Sequence, residues 1–411
     1  MEIIISFIVV YVILLIVAFK PDILKPTFLF GIIILATFFI TSLRCSYLIS
    51  RYPKWFTALI FSMVIFFALG DFFADFLPQR VILSNTYDND KMKKSILILW
   101  FAIMFSFLVT VVLLGPPPAI SGSERVDYFI SGWGSIVTLQ SLLFGLLLYD
   151  IFNQKAIGRL FWPLILSIMV IAFLLANKYQ IIYMIILYLI AYNSFKKKIG
   201  IKNLVIASIA VIVVFIIMYE AVYKNLYGVS MMAITYGYKM NLPKGLEFLS
   251  QPYLYVAFNY ENLYKFLQHD THCLYGLKTF SSIINTFHLT IFYPQNVLGY
   301  LDEWKNMLTV KSMTTGTMLE DFAQDGRMVG MIIFTFLCGM WSKYSYKKFN
   351  FDKSFFSFYM YCATTAAIFM SFFTNAFTSK ITLINIIGAY IINILLNSKV
   401  DLTKGDDRRM K

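Results

Sequence analysis

The chain has 411 residues, of which 59% are apolar and 14% charged, and its mean hydropathy is +0.71. These proportions exclude a water-soluble globular domain, which has roughly 25% charged residues. The net charge of +13 would suit a nucleic-acid partner if the basic residues formed one soluble patch. They are instead spread over the loops between apolar segments, so we expect no nucleic-acid binding.

Eleven apolar segments have lengths close to that needed to cross about 30 Å of hydrocarbon. They cover residues 2–19, 27–43, 56–77, 95–115, 128–149, 160–177, 179–194, 203–221, 328–345, 354–374 and 382–397. The first has no basic region before it and no small-residue cleavage site after it, so we expect a retained span. The sixth and seventh are separated only by a short polar stretch around 177–180. The pattern predicts an all-α polytopic membrane protein with about 11 transmembrane helices.

The basic residues predict the orientation, because positively charged short loops stay cytoplasmic. One set of alternate loops is rich in them: Lys20, Lys25, Arg80, Lys91, Lys93, Lys94, Lys155, Arg159, Lys196, Lys197, Lys198, Lys202, Lys343, Lys347, Lys348, Lys353, Arg408, Arg409 and Lys411. The opposite short loops hold few: Arg44, Arg51, Lys54, Arg125, Lys178 and Lys380. The first set is therefore predicted to be cytoplasmic, with the N-terminus outside and the C-terminus inside.

This topology divides the chain into four parts. Residues 1–221 form an N-terminal bundle of about eight helices, 222–327 a large external segment, 328–397 three C-terminal helices, and 398–411 a cytoplasmic tail. In the third span, Asp71 and Asp75 lie one helical turn apart near the cytoplasmic end, with Arg80 just beyond. A proton relay is one interpretation, but the position favours an ion cluster at the helix end.

The external segment is rich in tyrosine and phenylalanine, and its charges nearly cancel, unlike a disordered tether. Aromatic faces edged by amides and hydroxyls suit sugar binding, and the candidates are Asn259, Tyr260, Tyr264 and Trp304. The alternative is that these aromatics anchor short helices at the bilayer interface. Apolar spacing predicts a helix over 245–269, and the short apolar stretch 281–293 reads as an interfacial helix.

Four features occur in order over residues 120–345. Arg125 stands in SGSERVDYF before a span, and Ala176-Asn177-Lys178 occupies a tight turn. NYENLYKFL at 259–267 is followed by 276–280, and FAQDGRMVG lies at 322–330 at the start of a span. Together with the span count and the single large external segment, they resemble the O-antigen polymerase (Wzy) family of bacterial oligosaccharide repeat-unit polymerases. That family commonly has Gly-Ser-Arg in the turn and Asp-Phe-Gly-x-x-Gly at the last site, where this chain has Lys178 and the altered pair Gly326-Arg327.

The resemblance implies a GT-C-like multispan glycosyltransferase in the bacterial cytoplasmic membrane. Its reaction would be metal-independent transfer of an undecaprenyl-diphosphate-linked oligosaccharide donor onto a lipid-linked acceptor at the outer face, without a cofactor. The partners implied are those two substrates, membrane lipid and a chain-length regulator protein. Alternatives are an O-antigen ligase, which uses the same donor, a transporter such as a lipid-linked oligosaccharide flippase or an ion-coupled permease, and a non-catalytic scaffold or receptor. A transporter would be expected to carry charges deep in several spans and short external loops.

The chemistry of this reaction selects candidate site residues. A departing diphosphate needs fixed cations. The external candidates are Arg44, Arg51, Arg125, Lys178 and Arg327, and each of them could instead anchor at the interface. The acceptor hydroxyl needs a base, for which His269 and His272 in QHDTH are the first candidates and Glu320 and Asp325 the competing carboxylates. The His-x-x-His pair lacks an evident third ligand, so no metal is predicted.

Overall fold

The structure is a computed structural model that describes residues 22, 24–78, 87–121, 128, 130, 133–218, 231–243, 245–269, 271–311 and 313–397. These residues form helices and connecting turns, with an isolated antiparallel bridge between Ser46 and Met240 and no strand among them. The fold of the described part is therefore all-helical, as the apolar pattern predicts.

Eleven long helices make up most of the described residues. They are α1 (Pro26–Ser42), α2 (Lys54–Phe73), α3 (Asn89–Leu114), α4 (Gln140–Asn153), α5 (Phe161–Leu174), α6 (Lys178–Phe195), α7 (Ile201–Met218), α8 (Ser250–Gln268), α9 (Met318–Asp352), α10 (Phe355–Met370) and α11 (Lys380–Asn397). Shorter helical turns connect them, including Trp133–Val137, Met231–Gly237, Ser281–Thr286, Leu289–Phe292, Gln295–Gly299 and Tyr300–Met307.

Several helices of the described chain have the length and apolar composition of membrane spans. Five qualify fully: Lys54–Phe76, Asn89–Ser121, Gly134–Asn153, Met318–Asp352 and Lys380–Asn397. Four shorter apolar helices are Pro26–Ser42, Gly158–Leu174, Tyr179–Phe195 and Phe355–Met370. Each predicted span from the second onward overlaps one long helix, whereas the first, 2–19, lies outside the described residues. The predicted span 128–149 is not continuous, because Trp133–Val137 is a short helix separate from α4. The count of eleven spans and the GT-C-like architecture remain predictions.

The sixth and seventh predicted spans are separate helices. α5 ends at Leu174, and Ala176 then turns with a left-handed φ of 51°. Asn177 caps α6, its side-chain oxygen accepting the backbone N–H of Gln180 at 3.1 Å. Such a cap satisfies a donor that the first turn of a helix leaves unpaired. The tight turn predicted at this point is thereby confirmed.

Paired charges lie at one end of the helix bundle. Lys343 of α9 lies 3.1 Å from Asp71 and 3.8 Å from Asp75, and Lys347 lies 3.5 Å from Asp75. The predicted ion cluster at the end of this helix is confirmed, with lysines of α9 as the partners. Arg80 lies outside the described residues.

The loops before α2 and α11, both predicted to lie on the outer side, contact the external segment at the other end of the bundle. In the loop before α2, the N–H and hydroxyl of Ser50 donate to Glu261 of α8 at 2.9 and 2.6 Å. In the loop before α11, the Thr378 hydroxyl donates to the carbonyl of Thr279 in the external segment. Because Asp71 lies about 25 Å along α2 from its first turn, the two sets of loops lie on different sides of the bundle.

Candidate functional site

A single helix, α9, contains both the end of the external segment and the ninth predicted span. The predicted boundary at 327–328 falls within α9, at a kink where Arg327 has φ 54° and ψ −138°. Gly330, one turn later, lies so close to the turn before the kink that a Cβ there would be 2.4 Å from the carbonyl oxygen of Phe322. The close approach of these two turns therefore requires a glycine at position 330, the last residue of FAQDGRMVG.

Asp325 anchors the external segment to this kink. Its carboxylate accepts the backbone N–H groups of Lys278 at 2.9 Å and Thr279 at 2.7 Å. The carbonyls of Gln324 and Asp325 accept the N–H groups of Leu274 and Tyr275 at 2.9 and 3.0 Å. Asp325 is buried, and its hydrogen bonds serve to position the segment. A carboxylate bonded in this way is poorly placed to act as the general base.

Arg327 joins α8 to the same kink. Its guanidinium donates to the carbonyls of His269 at 2.6 Å and Leu267 at 3.4 Å and to the hydroxyl of Thr271 at 2.8 Å. It also lies 6.0 Å from the centre of the Phe266 ring. These carbonyls are acceptors that the end of α8 leaves unpaired, and a basic side chain is a common way to satisfy them. The structure gives Arg327 a positioning role that the sequence did not indicate.

His272 is paired with a carboxylate. Its Nδ1 lies 3.3 Å from Oε2 of Glu303, which the His272 backbone N–H also approaches at 3.4 Å. The imidazole stacks on the Tyr300 ring, with centroids 3.8 Å apart and planes 6° apart. The histidine is exposed, so a substrate can reach it while Glu303 and Tyr300 fix its orientation. His269 is also exposed, but its Nδ1 lies 2.8 Å from the carbonyl of Lys265.

The Lys278 side chain lies between the external segment and α9. Its Nζ lies 5.0 Å from the centre of the Trp304 ring and 3.9 Å from Oδ1 of Asp321. Trp304 is the next residue in the chain after Glu303, the partner of His272. Trp304 is only 8% exposed and belongs to the buried core, so its indole is largely covered by protein.

Glu320 lies deeper than the other candidates. It is 3% exposed, Gln324 donates to its Oε1 at 3.4 Å, and its Oε2 has no hydrogen-bond partner among the described residues. The structure therefore separates two kinds of candidate. His272 lies on the surface with a carboxylate beside it, whereas Glu320 lies inside.

The other predicted sugar-binding residues lie inside the protein. Tyr260 is fully buried, and its hydroxyl donates to the carbonyl of Ile34 at 3.0 Å. Asn259 accepts the hydroxyl of Thr315 at 2.8 Å and is likewise buried. Tyr264 packs against the rings of Tyr52, Trp55 and Phe56. In this structure the three residues hold α8 against its neighbours, and their side chains are not displayed to a ligand.

The remaining predicted cations are not brought to the kink by the described residues. Arg51 is exposed beside Ser50, whose partner Glu261 lies about 10 Å along α8 from the helix end. Arg125 lies outside the described residues, and for Lys178 only the backbone at the start of α6 is described. Their assignment to a diphosphate remains a prediction.

Two further observations bear on the identity of the site. Among the described residues, no group of three or more His, Cys, Asp or Glu side chains is arranged to hold a metal ion. No family model, curated protein or solved structure matches the chain. The function therefore has to be argued from the residues of the chain itself.

Proposed function

We propose that the chain is a membrane-embedded glycosyltransferase that joins undecaprenyl-diphosphate-linked oligosaccharide repeat units into an O-antigen or capsular-type polysaccharide. The observation that carries the proposal is the exposed contact between His272 and Glu303, docked beside the kink of α9. It is supported by the apolar helices, which suit a lipid-linked substrate, and by the order of the motifs that resemble the polymerase family.

His272 is the general base in this proposal. With Nδ1–H donating to Glu303, the neutral imidazole carries its lone pair on Nε2, which can accept a proton. The acceptor hydroxyl oxygen forms a bond to the anomeric carbon of the donor, and the bond from that carbon to the diphosphate oxygen breaks. The diphosphate keeps the electron pair, and the hydroxyl proton moves to Nε2. Glu303 stabilises the imidazolium that results.

The charged groups around this pair have different tasks. Asp325 and Arg327 hold the segment that carries His272, and Trp304 remains the candidate from the sequence for stacking against a sugar ring. Arg125 and Lys178 remain the candidates from the sequence for the cations that stabilise the departing diphosphate. Chain-length control by a partner protein is expected from the family resemblance alone.

Kinetics of single variants test the base. His272→Gln is expected to lower kcat about 10²- to 10⁴-fold, the usual contribution of a general base. Glu303→Gln should lower kcat less, because it weakens orientation but leaves the imidazole in place. The matched control is His288→Gln, since His288 is also exposed in the external segment. Wild-type kcat in purified, folded His272→Gln would remove His272 from the mechanism and favour Glu320.

A further inference from the structure

A polar cleft lies between the short helix Ser281–Thr286 and the start of α11. Its volume is about 330 Å³, and it is lined by Ser281, Ser282, Asn285 and Lys380. That volume is within the roughly 300–1,000 Å³ of small-molecule sites. One ammonium group, two hydroxyls and one carboxamide offer a set of hydrogen-bond donors, and none of the four lining residues is acidic. This chemistry favours an anion with several oxygen acceptors.

Both walls of the cleft are tied to the kink of α9. The wall that carries Ser281 follows Lys278 and Thr279, whose N–H groups donate to Asp325. The wall that carries Lys380 follows Thr378, whose hydroxyl donates to the Thr279 carbonyl. An anion in the cleft would therefore be held by the same framework that positions the external segment beside His272.

The surroundings of the cleft suit a lipid. Lys380 is the first residue of α11, whose length and composition are those of a membrane span. The chain that follows the short helix exposes large apolar side chains: Phe287 is 67%, Ile291 80% and Phe292 75% exposed. Exposed aromatic and aliphatic side chains next to a cationic group are typical of the membrane interface. The occupant is thus expected to combine an anionic head with an apolar tail.

We infer that this cleft binds the diphosphate headgroup of a polyprenyl-diphosphate lipid, with the Lys380 ammonium and the Ser281 and Asn285 side chains donating to phosphate oxygens. The inference rests on the proposed function, because it takes the substrate class from it. It adds a cation that the motifs do not contain, since Lys380 lies beyond the part of the chain that carries the resemblance. The lipid tail lies along the segment that contains Phe287 and Phe292.

Lipid binding by purified protein in nanodiscs of neutral lipid tests the cleft. The probe is undecaprenyl diphosphate without sugar, titrated against wild type, Lys380→Gln and the control Lys305→Gln. Lys305 is an exposed lysine of the external segment that pairs with Asp302 at 2.7 Å. Loss of one charged donor is expected to raise the Kd about tenfold or more for Lys380→Gln, with no change for Lys305→Gln. Asn285→Ala provides a second variant with a smaller expected rise.

The outcomes separate the cleft from the reaction. Equal affinity of wild type and Lys380→Gln, with both eluting as folded protein, would overturn the assignment of the cleft even if wild type forms polymer. Inorganic diphosphate that competes as well as the lipid would overturn the lipid as occupant. Lys380-dependent lipid binding by a wild-type protein that makes no glycosidic bond would leave the cleft in place and contradict the proposed function.

Discussion

Glu303 turns His272 from an exposed histidine into a candidate base. A histidine that acts as a base in catalysis must be held in one tautomer and one orientation. The Glu303 carboxylate and the Tyr300 ring supply those two constraints. His269 has a backbone carbonyl as its partner instead, so the two histidines of QHDTH are not equivalent.

Substitution of Arg327 tests its role in positioning the external segment. Arg327→Ala removes the donors to two carbonyls and one hydroxyl. Leu267 and Thr271 are buried, and leaving a buried acceptor unpaired costs roughly 1–3 kcal/mol. We expect a lower Tm in detergent and faster proteolysis of the external segment. The control is Arg51→Ala, since Arg51 is exposed.

Activity distinguishes the two roles considered for Arg327. An unchanged Tm and proteolysis pattern with a large loss of transfer activity would contradict the positioning role. That result would instead support the direct diphosphate contact that the sequence suggests.

At the scale of elements, α2 and α9 pack with their backbones in close approach. A Cβ at Gly70 would lie 2.0 Å from the carbonyl oxygen of Phe336, and one at Gly339 would lie 2.1 Å from that of Phe67. The two glycines thus lie at one contact, each facing the backbone of the other helix. Small residues allow this approach, and close packing is a main source of stability between helices in lipid.

Substitution of either glycine tests this contact. Gly70→Ala and Gly339→Ala are each expected to lower stability by about 1–3 kcal/mol through overpacking, despite the better helix propensity of alanine. The double variant should lose less than the sum, because both substitutions push apart the same pair of helices. Thermal unfolding in detergent measures the effect. The control is Gly200→Ala, where a Cβ meets nothing within 4 Å, and a raised Tm for Gly70→Ala would contradict the account.

At the scale of the whole molecule, the loops fall into two groups on different sides of the helices. On one side, Ser50 in the loop before α2 contacts Glu261 of α8, and on the other, Asp71 near the end of α2 contacts Lys343 of α9. The same grouping follows from the distribution of basic residues. Which group faces outward depends on the positive-inside rule and stays a prediction.

Labelling of Cys273 tests the orientation. Cys273 lies in the external segment and is partly exposed, whereas Cys338 and Cys362 are buried. Burial raises the pKa of the Cys45 thiol, which makes Cys45 slower to react, and Cys45→Ser removes it altogether. A membrane-impermeant maleimide should then label intact spheroplasts. No labelling before lysis and full labelling after it would reverse the predicted topology, and Cys45→Ser/Cys273→Ser is the control.

Apolar patterning predicts the helices well, because the signal for each span is contained in its own residues. The long helix at 245–269 follows for the same reason, and the structure has α8 at Ser250–Gln268. The apolar spacing does not show which face of α8 is buried against the other helices. Tyr260 and Asn259 are therefore predicted to bind sugar, although the structure buries both.

The site is predicted only in part, because its contacts join distant parts of the chain. His272 and Glu303 are 31 residues apart, and Lys278 and Asp325 are 47 apart. Nothing in the local sequence around Glu303 distinguishes it from the other acidic residues of the external segment, and Lys278 belongs to none of the recognised motifs. The residues that the resemblance marks, Asp325 and Arg327, do lie at the site, but their hydrogen bonds go to the protein backbone and to Thr271.

The reaction itself is the most direct test of the central claim. Purified protein is incubated with its native undecaprenyl-diphosphate-linked repeat unit, without added metal and with a chelator in a parallel sample, and the lipid-linked products are separated on a gel. The proposed function predicts a ladder spaced by one repeat unit in both samples, lost in His272→Gln. Intact substrate after incubation with folded protein would contradict the polymerase, as would a single new band formed only when a lipid A core acceptor is added.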